Sequence, residues 1–185
     1  MIDLKPACHQ MIEVLVGVAD DQLTRPTACT DYTVGDIIDH IDQVARGATV
    51  LALRAGELPE IESGPNAEHL GRDWREAVPE HVRELGKAWD DPAAWHGSAN
   101  VPGSDLSNEV WGKITLAELV VHGWDIARAT GQPFDLPEQT LQACLDHVAE
   151  FVPNAPIPTL WGPPVHIEPD AALIDQIVAI TGRVP

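Results

Sequence analysis

Positive charge is what this chain has least of. Eleven lysines and arginines stand against 29 aspartates and glutamates, a formal net charge of −18. Such a field repels phosphate backbones, and no local Lys/Arg cluster offsets it, so nucleic acid is not expected as a partner. Long apolar runs are also missing. Nothing approaches the roughly 18 apolar residues that a membrane-spanning helix needs, and no membrane span is expected. The opening residues, Met1-Ile-Asp-Leu-Lys-Pro, lack the basic-then-apolar order of a secretory signal, which makes the cytoplasm the expected location. Cysteine is scarce and odd in number: Cys8, Cys29 and Cys144 form neither a C-x-x-C pair nor a disulfide framework. Reduced structural thiols are expected, and Cys29 has no activating cation near it in sequence. A phosphate-binding glycine loop, a Gly-x-Ser-x-Gly elbow and a Cys/His nucleophile pair are all absent. These gaps count against nucleotide-dependent and covalent serine chemistry.

What is present is helical periodicity. The chain's 185 residues suit one domain, residues 1–185, with a substantial core. Ala7, Met11, Leu15 and Val18 recur at helical spacing within Leu4 to Ala19. After a polar loop, Thr33 reads as an N-cap with Asp36 at the capping-box position. The helix it opens carries Ile37, Ile41, Val44, Ala45, Ala48 and Leu51 on one face and is expected to run to Gly56. Leu58 to Ala67 reads as a connection. A third helix is expected over Glu68 to Trp89, with a kink or late start at Pro79. Pro92, Gly97, Pro102, Gly103 and Gly112 break the pattern from Asp90 to Ile114, an irregular, lid-like connection with room for short strands. A helix opening at Thr115 ends at Gly131, a good left-handed cap. Pro137 starts another through Phe151, Pro153 to Pro169 is not helical, and a short last helix spans Asp170 to Ile180. The sum is an all-α bundle with four longer helices.

The helix opening at Thr115 carries the chemistry. Glu118 and His122 lie four residues apart, about 40° around the axis and about 6 Å along it, so both can grip one divalent ion. The best third ligand is His40, which flanks the stripe of Ile37, Ile41 and Val44. Two histidines, one carboxylate and a water make an open zinc site, although the same ligands also suit Ni²⁺, Fe²⁺ or Mn²⁺. Asp125, almost in line with Glu118, is a candidate to orient a ligand or bound water. The same spacing also suits a solvated i,i+4 pair, and His40 equally suits a partly buried structural histidine. His96 lies in the irregular segment that could fold over the site. Histidines 9, 69, 81, 147 and 166 have no partner at helical spacing. Trp74 and Trp89 fall on a core stripe, while Trp111 and Trp124 are core positions that could also wall a pocket.

Two stretches carry a resemblance: Cys29-Thr-Asp-Tyr-Thr-Val-Gly-Asp-Ile-Ile-Asp-His40 and Glu118-Leu-Val-Val-His-Gly-Trp-Asp-Ile-Ala-Arg-Ala-Thr-Gly131. The chain resembles the DinB/YfiT-like superfamily, and within it the metal-binding N-terminal domain of mycothiol-dependent maleylpyruvate isomerases. Its closing Leu173-to-Arg183 segment resembles small actinobacterial single-domain members. The resemblance implies a DinB-like four-helix bundle holding one divalent metal, usually zinc, at His40, Glu118 and His122. Many superfamily members carry three histidines, and Glu118 matches the isomerase pattern instead. It also implies thiol chemistry, in which a small thiol such as mycothiol is deprotonated at the metal and attacks an electrophile. The isomerases carry a second, C-terminal domain for which 185 residues leave no room. The expected function is therefore metal-dependent S-transfer from a small thiol to a small electrophile rather than maleylpyruvate isomerisation. The alternatives are a non-catalytic metal-binding stress or interaction module, and a zinc hydrolase. A homodimer is the expected assembly.

Overall fold

In a computed structural model the described residues are 1–55, 64–99, 101, 106–155 and 161–185. They form six α-helices: α1 (Lys5–Gly17), α2 (Val34–Leu53), α3 (Trp74–Ala88), α4 (Asn108–Thr130), α5 (Glu138–Phe151) and α6 (Leu173–Ile180). Helices α1 and α2 each pack against both α3 and α4, which closes a four-helix bundle. Helix α5 lies against α4, and α6 against α5. The all-α, DinB-like expectation holds. No helix among the described residues is long and apolar enough to cross a membrane.

The apolar stripes meet as their periodicity requires. Met11 and Leu15 of α1, Ile37, Ile38 and Ile41 of α2, Val82 and Leu85 of α3, and Leu116, Leu119 and Ile126 of α4 are buried in one core cluster. Burying each such side chain contributes about 1.5–3 kcal/mol. Trp89 closes the far end, its indole N–H donating to the Ala48 carbonyl at 3.0 Å. Trp74, at the opposite end of α3, is buried as well, as expected.

Helix α2 begins as its sequence says. The Asp36 amide donates to Thr33 Oγ1 at 3.3 Å, and the Thr33 amide donates to Asp36 Oδ2 at 2.8 Å, a complete capping box. It ends at Leu53 with Arg54 left-handed at φ 52°, short of Gly56, which lies outside the described residues. Most of the expected connection Leu58 to Ala67 lies outside them too, as do Pro102 and Gly103. Beyond it, Ala67–His69 forms a separate 3₁₀ turn, so α3 starts at Trp74 rather than Glu68. The helix runs through Pro79, which forgoes one backbone hydrogen bond in the second turn without marking the start.

Helix α4 departs most from expectation. It begins at Asn108, not Thr115, capped by Ser107, whose Oγ accepts from the Val110 amide at 3.3 Å. Thr115 sits inside the helix, with its hydroxyl donating to the Trp111 carbonyl at 2.9 Å. Gly112 misled the reading. It is no breaker here, because a Cβ at that position would lie 2.6 Å from the Trp95 ring and 2.7 Å from that of Trp89. Glycine is required by close packing, so the irregular connection is shorter than expected. Of its expected strands, the described residues show an isolated bridge between Ser98 and Ser107.

Candidate metal centre

The packing of α2 on α4 brings together residues 78 apart in sequence. Glu118 Oε2 lies 2.9 Å from His40 Nε2 and 3.2 Å from His122 Nε2. The two imidazoles meet edge to face, with centroids 4.9 Å apart. One donor atom from each of the three side chains falls within a 4.8 Å set. In a tetrahedral zinc site, bonds of about 2.0–2.1 Å place ligand atoms about 3.3 Å apart, and the two Glu118 separations lie close to that edge. The donor set of two imidazole nitrogens and a carboxylate oxygen fits a divalent ion of the zinc type.

Electrostatics point the same way. Burial alone would raise the Glu118 carboxyl, but hydrogen bonds from His122 and His40 outweigh it and hold the group far below the usual carboxylate range. Burial likewise opposes a charge on His122, yet hydrogen bonds to Asp125 and Glu118 raise its pKa to about 9. The cluster therefore demands positive charge at its centre, which protons or a metal ion can supply.

Behind the three lies a second layer. His122 Nδ1 is 3.0 Å from Asp125 Oδ2, and Asp125 is completely buried. An N–H donated from Nδ1 to Asp125 leaves Nε2 to face the centre, the arrangement that fixes a ligating histidine. Asp125 thus stands where sequence placed it, beside a ligand candidate. Its other partner, Arg183, was not foreseen. The guanidinium reaches both Asp125 oxygens, at 3.3 Å from Nε and 3.0 Å from Nη2. Hydrogen bonds from His122 and Arg183 outweigh burial and keep the Asp125 carboxyl below its ordinary range.

A cavity of about 610 Å³ opens beside the trio. One wall is the loop before α2, including Cys29 and Tyr32, and the other is Trp161–Pro163 with Thr181–Arg183. Thr27 shapes that loop: its hydroxyl donates to the Tyr32 carbonyl at 2.8 Å, and Pro26 bridges to Thr33. Burial raises the Cys29 thiol pKa even though the nearby Arg183 charge opposes the shift, so Cys29 is not an activated thiolate.

His96 is not in this wall. Its carbonyl accepts from the Arg54 guanidinium, and its turn, Pro92–Trp95, packs on the opposite end of α4. No described residue of the 90–114 segment lines the cavity, and that side is formed by Trp161–Pro163 and Thr181–Arg183. Trp111 and Trp124 do not line the cavity either. Among the remaining histidines, His69 pairs with Asp39 at 3.1 Å and His81 with Asp42 at 2.6 Å. His9 does have a helically spaced neighbour, Glu13, at 3.8 Å. Arg183 and Trp161 gave little signal in sequence, since each is one residue in a proline- or glycine-interrupted stretch without periodicity.

Sequence similarity places the chain in a family. The profile of the mycothiol maleylpyruvate isomerase N-terminal domain matches residues 4–127, two thirds of the chain, and the chain belongs to that family. Two relatives are uncharacterized proteins of Mycobacterium tuberculosis, from strains CDC 1551 / Oshkosh and H37Rv. Each is 29% identical over 134 residues, covering 70% of this chain and 66% of the relative. The matched region thus spans just under two thirds of the length of those relatives. No solved structure matches.

Proposed function

We propose that His40, Glu118 and His122 hold one divalent metal ion, Zn²⁺, and that the protein transfers a small thiol of the mycothiol type to a small electrophile. The observation that carries this reading is the convergence of three ligand-type atoms from two helices beside a cavity of about 610 Å³. Membership of a family named for a mycothiol-dependent enzyme supports the thiol. A bound zinc ion supplies Lewis acidity, which keeps a coordinated thiol deprotonated near neutral pH.

The chain's own residues supply the rest. Asp125 holds the His122 ring so that Nε2 faces Glu118. Trp161 and Tyr32 give the cavity aromatic walls, and Ile37 adds an apolar contact. These apolar surfaces, set among the polar groups of the cavity, favour a substrate with an apolar body. The hydrolase alternative needs a free general base near the open position. Asp125, its expected candidate, is fully buried with both oxygens engaged, which removes it from that role.

The test is elemental analysis of untagged protein, followed by Co²⁺ substitution. Near-stoichiometric metal and a shift of the cobalt visible bands on adding a small thiol are expected. Absence of metal after Zn²⁺ and Ni²⁺ have been offered would refute the centre. Bound cobalt with bands indifferent to every thiol would leave a metal protein without the proposed thiol chemistry.

A further inference from the structure

We propose that Arg183, which lies beyond the family-matched region, is a positioning residue for the metal centre: it locks Asp125, which in turn sets the orientation of His122. The proposal rests on the metal assignment above and adds to it a determinant contributed by the segment after α6.

The argument begins with how Arg183 gets there. Helix α6 ends in a Schellman motif: the Gly182 amide donates to the Ala179 carbonyl at 3.1 Å, and the Arg183 amide to that of Val178 at 2.9 Å. Gly182 sits at φ +86°, and a Cβ there would lie 2.6 Å from Gly162 Cα, so both conformation and space call for glycine. This turn aims the Arg183 side chain back into the bundle, where it is 5% exposed. Its Nη1 donates to the Thr181 carbonyl at 2.7 Å, leaving Nε and Nη2 to fork onto Asp125.

A completely buried carboxylate cannot stay charged and oriented on one imidazole contact alone; a bidentate guanidinium supplies both the charge and the direction. Asp125 Oδ2 is shared, at 3.0 Å from Arg183 Nη2 and 3.0 Å from His122 Nδ1. Without Arg183 the carboxylate is free to rotate, and the His122 ring loses the fixed acceptor that directs Nε2 to the centre. Outer hydrogen bonds of this kind change metal affinity by about ten- to hundredfold.

The experiment measures Zn²⁺ affinity by competition with a chromophoric chelator, and the Co²⁺ visible spectrum, for wild type, Arg183→Met, Asp125→Asn and the double variant. Arg183→Met is expected to bind about ten- to hundredfold more weakly with altered cobalt bands. In the Asp125→Asn background the same change is expected to cost less than about twofold, because the route through the carboxylate is already broken. Gly112→Ala, which strains packing against Trp89 and Trp95 outside the cavity lining, is the control for general destabilisation and is expected to keep wild-type affinity. If Arg183→Met fails to fold, Arg183→Lys replaces it in the same cycle, since lysine keeps the charge but not the fork. Wild-type affinity in the Arg183 variant overturns the proposal. So does an equal loss in the Asp125→Asn background, or an equal loss in Gly112→Ala. A wild type that binds no metal overturns the metal assignment itself, and this inference with it.

Discussion

His122 and His147 are the same residue type, each on a helix and each 8% exposed, yet their surroundings drive them in opposite directions. His122 lies between the carboxylates of Glu118 and Asp125, which overcome burial and raise its pKa to about 9. His147 stacks on Phe151 with centroids 4.9 Å apart. Burial, reinforced by the Lys113 charge, pushes its pKa down to about 4. Each borders a cavity, about 610 Å³ at His122 and about 680 Å³ at His147. Volume therefore does not distinguish the two regions. Convergent donors do: His122 meets two further ligand-type groups within one 4.8 Å set, whereas His147 stacks on Phe151 near Lys113 and Glu150 and, among the described residues, belongs to no such set.

Breaking the comparison outright requires removing each histidine in turn. His122→Ala is expected to reduce bound metal from near one equivalent to background, while His147→Ala leaves it unchanged. Elemental analysis after dialysis decides, and metal loss in His147→Ala would erase the distinction.

The next effect separates site from scaffold along α4 itself, whose first turns pack on Trp89 and Trp95 and whose later turns add Glu118, His122 and Asp125 to the apolar core. Gly112→Ala forces a methyl against the Trp89 and Trp95 rings. It is expected to cost about 1–3 kcal/mol in urea unfolding. Stability equal to wild type would show that those rings yield freely.

On α2, Thr33→Ala removes the capping box about two turns before His40. A loss of about 1 kcal/mol is expected by the same measurement, from the cap alone. An unchanged midpoint would mean that the contacts of the loop before α2 suffice to hold that end.

The smallest effect sharpens the comparison from the His147 side. Its folded-state pKa lies below its ordinary 6.5, so the unfolded chain takes up the proton first as pH falls. Neutral His147 contributes its full share of stability above about pH 6.5, and that share is lost as pH drops toward about 4. His147→Leu is expected to flatten this part of the stability profile by about 1 kcal/mol or less, allowing for solvent access to the ring. Parallel profiles for the two proteins would contradict the assignment.

Much of this molecule was determined by sequence alone, because backbone geometry is local. The stripes of Ile37, Ile41 and Val44 or Leu116, Leu119 and Val120 dictate helices, and the Thr33/Asp36 pair marks where α2 begins. Glu118 and His122 must be neighbours on any helix that contains them. Asp125 is their neighbour for the same reason, one turn on. Tertiary structure decided everything that depends on residues meeting across the bundle. The 2.9 Å approach of His40 to Glu118 spans 78 residues, and the Arg183 fork onto Asp125 spans 58. No periodicity encodes either distance, since each is set by how whole helix faces pack. The same cause explains Gly112, read as a break because its partners Trp89 and Trp95 are remote in sequence. It also explains His96, whose turn packs on the wrong end of α4 to close the site.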